Sequence, residues 1–140
     1  MTYATQQDLI DLYGERELID WSDRDGGGVI DVAVVQRALE SADALIDSYI
    51  ARRYELPLTE TPRLLVELAA KIARYELAKD GAHERVVQGN ADARKTLEAL
   101  GSGKAELPLA SGESAPGAEP GDVRVEGPER IFSRETLRSF

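Results

Sequence analysis

The chain contains no cysteine in its 140 residues, which excludes disulfide frameworks, thiol nucleophiles and sulfur-ligated zinc or iron-sulfur centres. It has one histidine, His83, with neither a Gly-x-Ser-x-Gly elbow nor a His-Glu-x-x-His pair to give it a catalytic setting. A lone titratable group lacks the partners that tune acid-base chemistry, so His83 is expected at a helix terminus on the surface. No apolar run approaches the roughly 18 residues of a membrane span, and Met1-Thr2-Tyr3-Ala4-Thr5 lacks the basic and apolar regions of a secretion signal. A soluble, cytoplasmic product is the expectation. Cations are in short supply too: 17 Lys and Arg stand against 26 Asp and Glu, for a formal charge of −9. A groove-reading DNA binder needs clustered Lys and Arg to neutralise phosphates, so that class is disfavoured.

What is present is 42% hydrophobic residues, enough for one core. Their spacing is helical. Thr5 and Asp8 resemble a capping box with Asp in place of Glu, and Leu9, Ile10 and Tyr13 follow at helical steps before Gly14. Glu15 to Ile19 reads as a second brief turn, with Trp21 anchoring the loop Ser22-Asp23-Arg24-Asp25-Gly26-Gly27-Gly28 to the core. From the N-cap Asp31, the positions Val32, Val35, Ala38, Leu39, Ala42, Leu45, Ile46, Tyr49 and Ile50 predict a long central helix to about Tyr54. Leu56-Pro57 is expected to stop it. Thr61-Pro62 restarts a helix whose stripe is Leu64, Leu65, Leu68, Ala69, Ile72, Ala73 and Leu77, closed by Gly81. A fourth helix, about Ala82 to Leu100, is expected to fray or break at Gly89-Asn90. The fold class is therefore all-α: a small bundle of about four helices, residues 1–109, followed by an extended arm, residues 110–140.

Three constellations invite a chemical reading. Asp23-x-Asp25-x-x-Gly28-x-Ile30-Asp31 lines up with a calcium loop, but its fifth position is Gly27 and its twelfth is Val34, where a bidentate glutamate belongs. A glycine turn with Asp31 as N-cap is the better reading, and no metal is assigned to Asp23, Asp25 and Asp31. Glu40, Asp43 and Asp47 lie three and four apart on the long helix and share one face, which reads as a solvated acidic stripe. Asp25-Gly26-Gly27-Gly28 lacks the Gly-Lys-Ser/Thr ending of a phosphate loop. No catalytic residue and no cofactor emerge from these patterns.

The C-terminal stretch is denser in docking features. Residues 110–128 carry four glycines and three prolines, a composition that cannot bury enough apolar surface to order itself. Val123 and Val125 alternate with charges, as a strand added to a partner's edge would. Ile131, Phe132, Leu137 and Phe140 supply anchors, and Arg130, Arg134 and Arg138 recur every four residues. The alternative is a solubilising terminus with incidental apolar residues. Phe and Arg anchors favour docking.

Taken together, Tyr3-Ala4-Thr5-Gln6-Gln7-Asp8-Leu9-Ile10, Gly14-Glu15-Arg16-Glu17-Leu18-Ile19, the Asp23-Arg24-Asp25-Gly26 loop, Ile46-Asp47-Ser48-Tyr49-Ile50-Ala51-Arg52-Arg53-Tyr54-Glu55-Leu56-Pro57-Leu58, Ile72-Ala73-Arg74-Tyr75-Glu76-Leu77 and Phe132-Ser133-Arg134-Glu135-Thr136-Leu137 resemble the small head-to-tail joining proteins of Mu-like phages and prophages. That resemblance implies a non-enzymatic, all-helical adaptor of the virion neck, assembled in the host cytoplasm. It would bind the portal protein and form a homo-oligomeric ring, commonly of twelve copies, that supports a tail-side connector or terminator protein. DNA would pass through without specific binding, and an acidic face such as Glu40, Asp43 and Asp47 would let a polyanion slide. No membrane is implied. Thirty-one residues from Ala110 stretch to at most about 100 Å, enough to cross a neighbouring subunit. Two other classes compete: a calcium-responsive regulator using Asp23, Asp25 and Asp31, and an acidic mimic of nucleic acid.

Overall fold

The computed structural model describes residues 1–109, all helix and connecting turns. Residues 110–140 lie outside the described residues. With them lie the arm and hook: Val123, Val125, Arg130, Ile131, Phe132, Arg134, Leu137, Arg138 and Phe140.

Five α-helices follow in chain order, α1 Gln6–Tyr13, α2 Glu15–Ser22, α3 Val32–Ile50, α4 Arg63–Ala78 and α5 Glu84–Ser102, with a 3-10 turn Lys79–Gly81 between the last two. The capping box at Thr5 and Asp8 closes reciprocally: the Thr5 hydroxyl accepts from the Asp8 N–H, and the Asp8 carboxylate accepts from the Thr5 N–H. Gly14, at φ 91°, lets α1 stop and α2 begin without a spacer. Asp31 caps α3 through the N–H groups of Ala33 and Val34, as its sequence position foretells.

The core is the packing of α3, α4 and α5, with α1 and α2 laid against α3 and α4. Leu39, Ala42, Ile46 and Ile50 from α3 meet Leu65, Leu68, Ala69, Ile72 and Ala73 from α4 and Ala93, Leu97 and Leu100 from α5. Fully burying one such leucine contributes about 1.5 to 3 kcal/mol. The beginning of α3 lies beside the end of α4, since Val34, Arg37, Ala38 and Ser41 border Glu76, Leu77 and Lys79. The two helices are therefore antiparallel. The ends of α3 and α5 meet at Tyr49 and Gly101, where a Cβ on the glycine would stand 2.9 Å from the Tyr49 carbonyl oxygen.

Four local expectations change. The second turn is a full helix through Ser22, so Trp21 packs on the core from within α2 and not from the loop. α3 ends at Ile50, ahead of Leu56-Pro57, as the chain turns to bury Tyr54 and Leu58. α4 starts at Arg63 with Pro62 as its cap, one residue later than expected. Finally, α5 runs unbroken through Gly89-Asn90. Its buried residues Val86, Asn90, Ala93, Leu97 and Leu100 form one stripe at helical spacing, and tertiary packing outweighs the low propensity of two residues. The stripe carries one cost, because Asn90 Oδ1 is buried without a hydrogen-bond partner.

Candidate functional site

The N-terminal strap uses most of the acidic stripe of α3. The Tyr3 N–H donates to Asp43 Oδ1 at 3.0 Å, and the Tyr3 hydroxyl donates to Asp47 Oδ1. Asp43 is buried, and burial pushes its carboxyl above the ordinary aspartate range, with the Tyr3 N–H pulling the other way. Burial, reinforced by the Asp47 contact, also raises the Tyr3 phenol. Of the three acids read as a solvated face, Glu40 alone is exposed. Periodicity shows which residues share a helix face and not what covers it, so the strap was invisible to it.

Loop 23–31 is folded around its own carboxylates. Asp23 accepts from the N–H groups of Gly27 and Gly28 at 3.0 and 2.7 Å, and the Gly28 contact leads in holding its carboxyl below the usual value. Asp31 is spent on the α3 cap, and the buried Ser22 hydroxyl accepts from the Asp31 N–H at 3.1 Å. Asp25 is exposed. Among the described residues no group of three or more His, Cys, Asp and Glu side chains converges as a metal cage would. His83 sits exposed at the N-cap of α5, with no side-chain cap bond.

Arg74 ties α1 and α2 to α4. Its guanidinium donates to Glu17 Oε1 at 2.5 and 3.2 Å and lies 4.2 Å from the Tyr13 ring centroid and 5.4 Å from that of Trp21. At the far end of α5 the chain doubles back: the Leu107 N–H donates to the buried Tyr54 hydroxyl at 2.9 Å, and Leu109 packs on the core. Leu107 is buried there. The described residues therefore end close to the turn that follows α3.

One feature had no signal along the chain. Arg24 from the loop after α2, Arg37 from α3 and Lys79 from the end of α4 border one notch of about 210 Å³, against a single acid among the described residues, Glu76. Thirteen and forty-two positions separate these cations, so no motif or charge run announces them. Lys79 is held at φ 40°, the one non-glycine residue with positive φ among the described residues.

No helix among the described residues is long and apolar enough to cross a membrane. Residues 3–125 match the family model described as Bacteriophage Mu, Gp36. Two relatives match over nearly their whole length. The Mu-like prophage FluMu protein gp36 of Haemophilus influenzae is 34% identical over 140 residues, covering 99% of this chain and 97% of its own. Gene product J of Escherichia phage Mu is 34% identical over 136 residues, covering 96% of each.

Proposed function

Because the chain belongs to the bacteriophage Mu Gp36 family, we propose that it is a neck adaptor: it docks on the portal vertex, forms a ring around the DNA channel and supports tail attachment. The observation that carries this reading is the length of the match. It covers 99% of the chain with the Haemophilus relative, and the family model itself runs into the arm as far as residue 125. A helical body that buries its core and exposes mostly charge gives a rigid unit for stacking in a ring. An arm of 31 residues after Leu109, with Phe and Arg anchors at its end, has the reach and chemistry to grip a portal subunit, a neighbouring copy or the tail-side protein. Ring closure calls for heterologous contacts, which a reaching arm supplies.

The channel role for acids rests on fewer groups than the stripe of three suggested. Asp43 and Asp47 hold the Tyr3 strap, and Glu40, exposed and hydrogen-bonded to the Gln36 amide, is the one left to face a passing polyanion.

The test is reconstitution of tail joining with purified heads and tails. Full-length chain is expected to associate with portal complexes and to support joining. A version ending at Leu109 should keep its helical circular dichroism and fail to join. Normal joining by the truncated chain would overturn the arm-docking reading, and absence of the full-length protein from the head-tail junction would overturn the neck assignment.

A further inference from the structure

We propose that the cationic notch at the end of α4 is one half of a contact between copies of this chain, its other half being the acid-rimmed groove between α1 and the start of α4. This deepens the adaptor reading and rests on it only for closure into a ring. The contact itself rests on the chemistry of the two surfaces.

The notch has a buried apolar floor, Ala38 and Leu77, and a rim of Arg24, Arg37 and Lys79. All three cations are exposed, and neither ion pair among the described residues involves them. The Arg37 guanidinium touches its own helix, donating to the Ala33 carbonyl at 3.4 Å. In a chain of net charge −9, three cations gathered from three separate elements against one acid form a local field of the opposite sign. Lys79 adds an independent sign. Its backbone occupies a region where glycine would be relaxed, yet the residue is lysine, and its side chain borders the notch.

The opposing surface lies at the other end of the same helix. Asp8 and Asp11 of α1 and Glu67 of α4 rim a groove with Leu12 and Val66 along its floor, and Arg63 is its single cation. Leu12 is 43% exposed, one of few large apolar side chains left open to water. Asp8 is held in the Thr5 capping box, whereas the other two acids are lightly engaged: Asp11 accepts from the Gln7 amide at 2.8 Å, and Glu67 pairs with Arg63 at 3.2 Å on a solvated face. Val66 and Leu77 are eleven residues apart, about 17 Å along the helix axis. The two surfaces therefore do not overlap, and one copy can engage a neighbour at each end.

Long Arg and Lys side chains suit such a groove, because their stems cover Leu12 and Val66 while their charged heads reach the carboxylates. The same patch does not face itself, so the contact is heterologous and propagates around a ring. Its strength falls as salt screens the pairs.

The test uses the full chain in sedimentation velocity. Wild-type protein at high concentration and low salt is expected to self-associate and to dissociate as salt is raised. Arg37→Glu spoils only the notch and Asp11→Arg only the groove, and each alone should sediment as monomer with unchanged helical circular dichroism. Mixed together, an Arg37→Glu copy still offers a sound groove and an Asp11→Arg copy a sound notch. The mixture should therefore re-form at least one-to-one dimers, growing further where the swapped charges meet, and the double variant, which relies on those swapped charges alone, should recover part of the wild-type association.

Three results would overturn the contact: wild-type protein that stays monomeric at low salt, single variants that associate as wild type does, or a mixture that remains monomeric. A fourth would as well. If Arg37→Glu lost retention on duplex DNA while its oligomeric state matched wild type, the notch would be a phosphate site. None of these bears on tail joining by the full-length protein, which judges the adaptor reading separately.

Discussion

The Tyr3 N–H donates to the Asp43 carboxylate across 40 positions of sequence, fixing the N-terminal strap to the middle of α3 at 3.0 Å. Asp43 is thereby a structural acceptor, and its burial is tolerated because a backbone donor meets it. Removing the acceptor leaves a buried N–H unpaired. Asp43→Ala is expected to cost about 1 to 3 kcal/mol in chemical denaturation. Asp43→Asn keeps an oxygen for Tyr3 and drops the buried charge, so its cost should stay below about 1 kcal/mol.

The same residue sets a pH dependence. Its carboxyl is harder to ionise in the folded chain than in the unfolded one, so the native state binds more protons between the ordinary aspartate value and the raised one. Stability should fall as pH rises through that window. Asp43→Asn should remove this component, which a comparison of denaturation midpoints for the two proteins across acidic pH will measure.

Arg74 is held by Glu17 and by two aromatic faces, with its side chain 23% exposed and that of Glu17 25% exposed. Arg74→Ala is expected to destabilise by about 1 to 3 kcal/mol, between the values typical of solvated and buried pairs. Arg74→Lys should recover only part of the loss, because an ammonium neither forks onto a carboxylate nor stacks flat on rings. A double-mutant cycle with Glu17→Gln isolates the ion pair from the aromatic contacts.

Two glycines of α5 should respond in opposite senses. Alanine at Gly101 would place its Cβ 2.9 Å from the backbone oxygen of Tyr49, forcing α3 and α5 apart. Gly101→Ala is expected to cost about 1 to 3 kcal/mol. At Gly89 an added methyl would meet nothing within 4 Å, and the residue lies in the helix interior. Gly89→Ala should stabilise by about 0.5 to 1 kcal/mol in thermal or urea unfolding.

Lys79→Gly should relieve the positive φ at the end of α4 and stabilise the body by about 1 kcal/mol. The same substitution removes a cation from the notch, so self-association should weaken as stability rises. A variant that gains stability with association unchanged would separate the strain from the notch.

The sequence by itself determined the all-helical class, the capping box at Thr5, the Gly14 break, the Asp31 cap, the apolar stripes of α4 and, apart from the exposed Val32, of α3, and the family. These are properties of neighbours along the chain: a cap needs its acceptor within three residues, and a stripe needs only its period. Tertiary structure alone decided that α5 continues through Gly89-Asn90, that Asp43 and Asp47 serve Tyr3, and that Arg24, Arg37 and Lys79 share a notch. Each of these joins elements distant in sequence or lets packing against α3 and α4 outweigh a local preference. Helical periodicity tells which side chains lie on one face of an element; only the packing of the elements selects what that face meets.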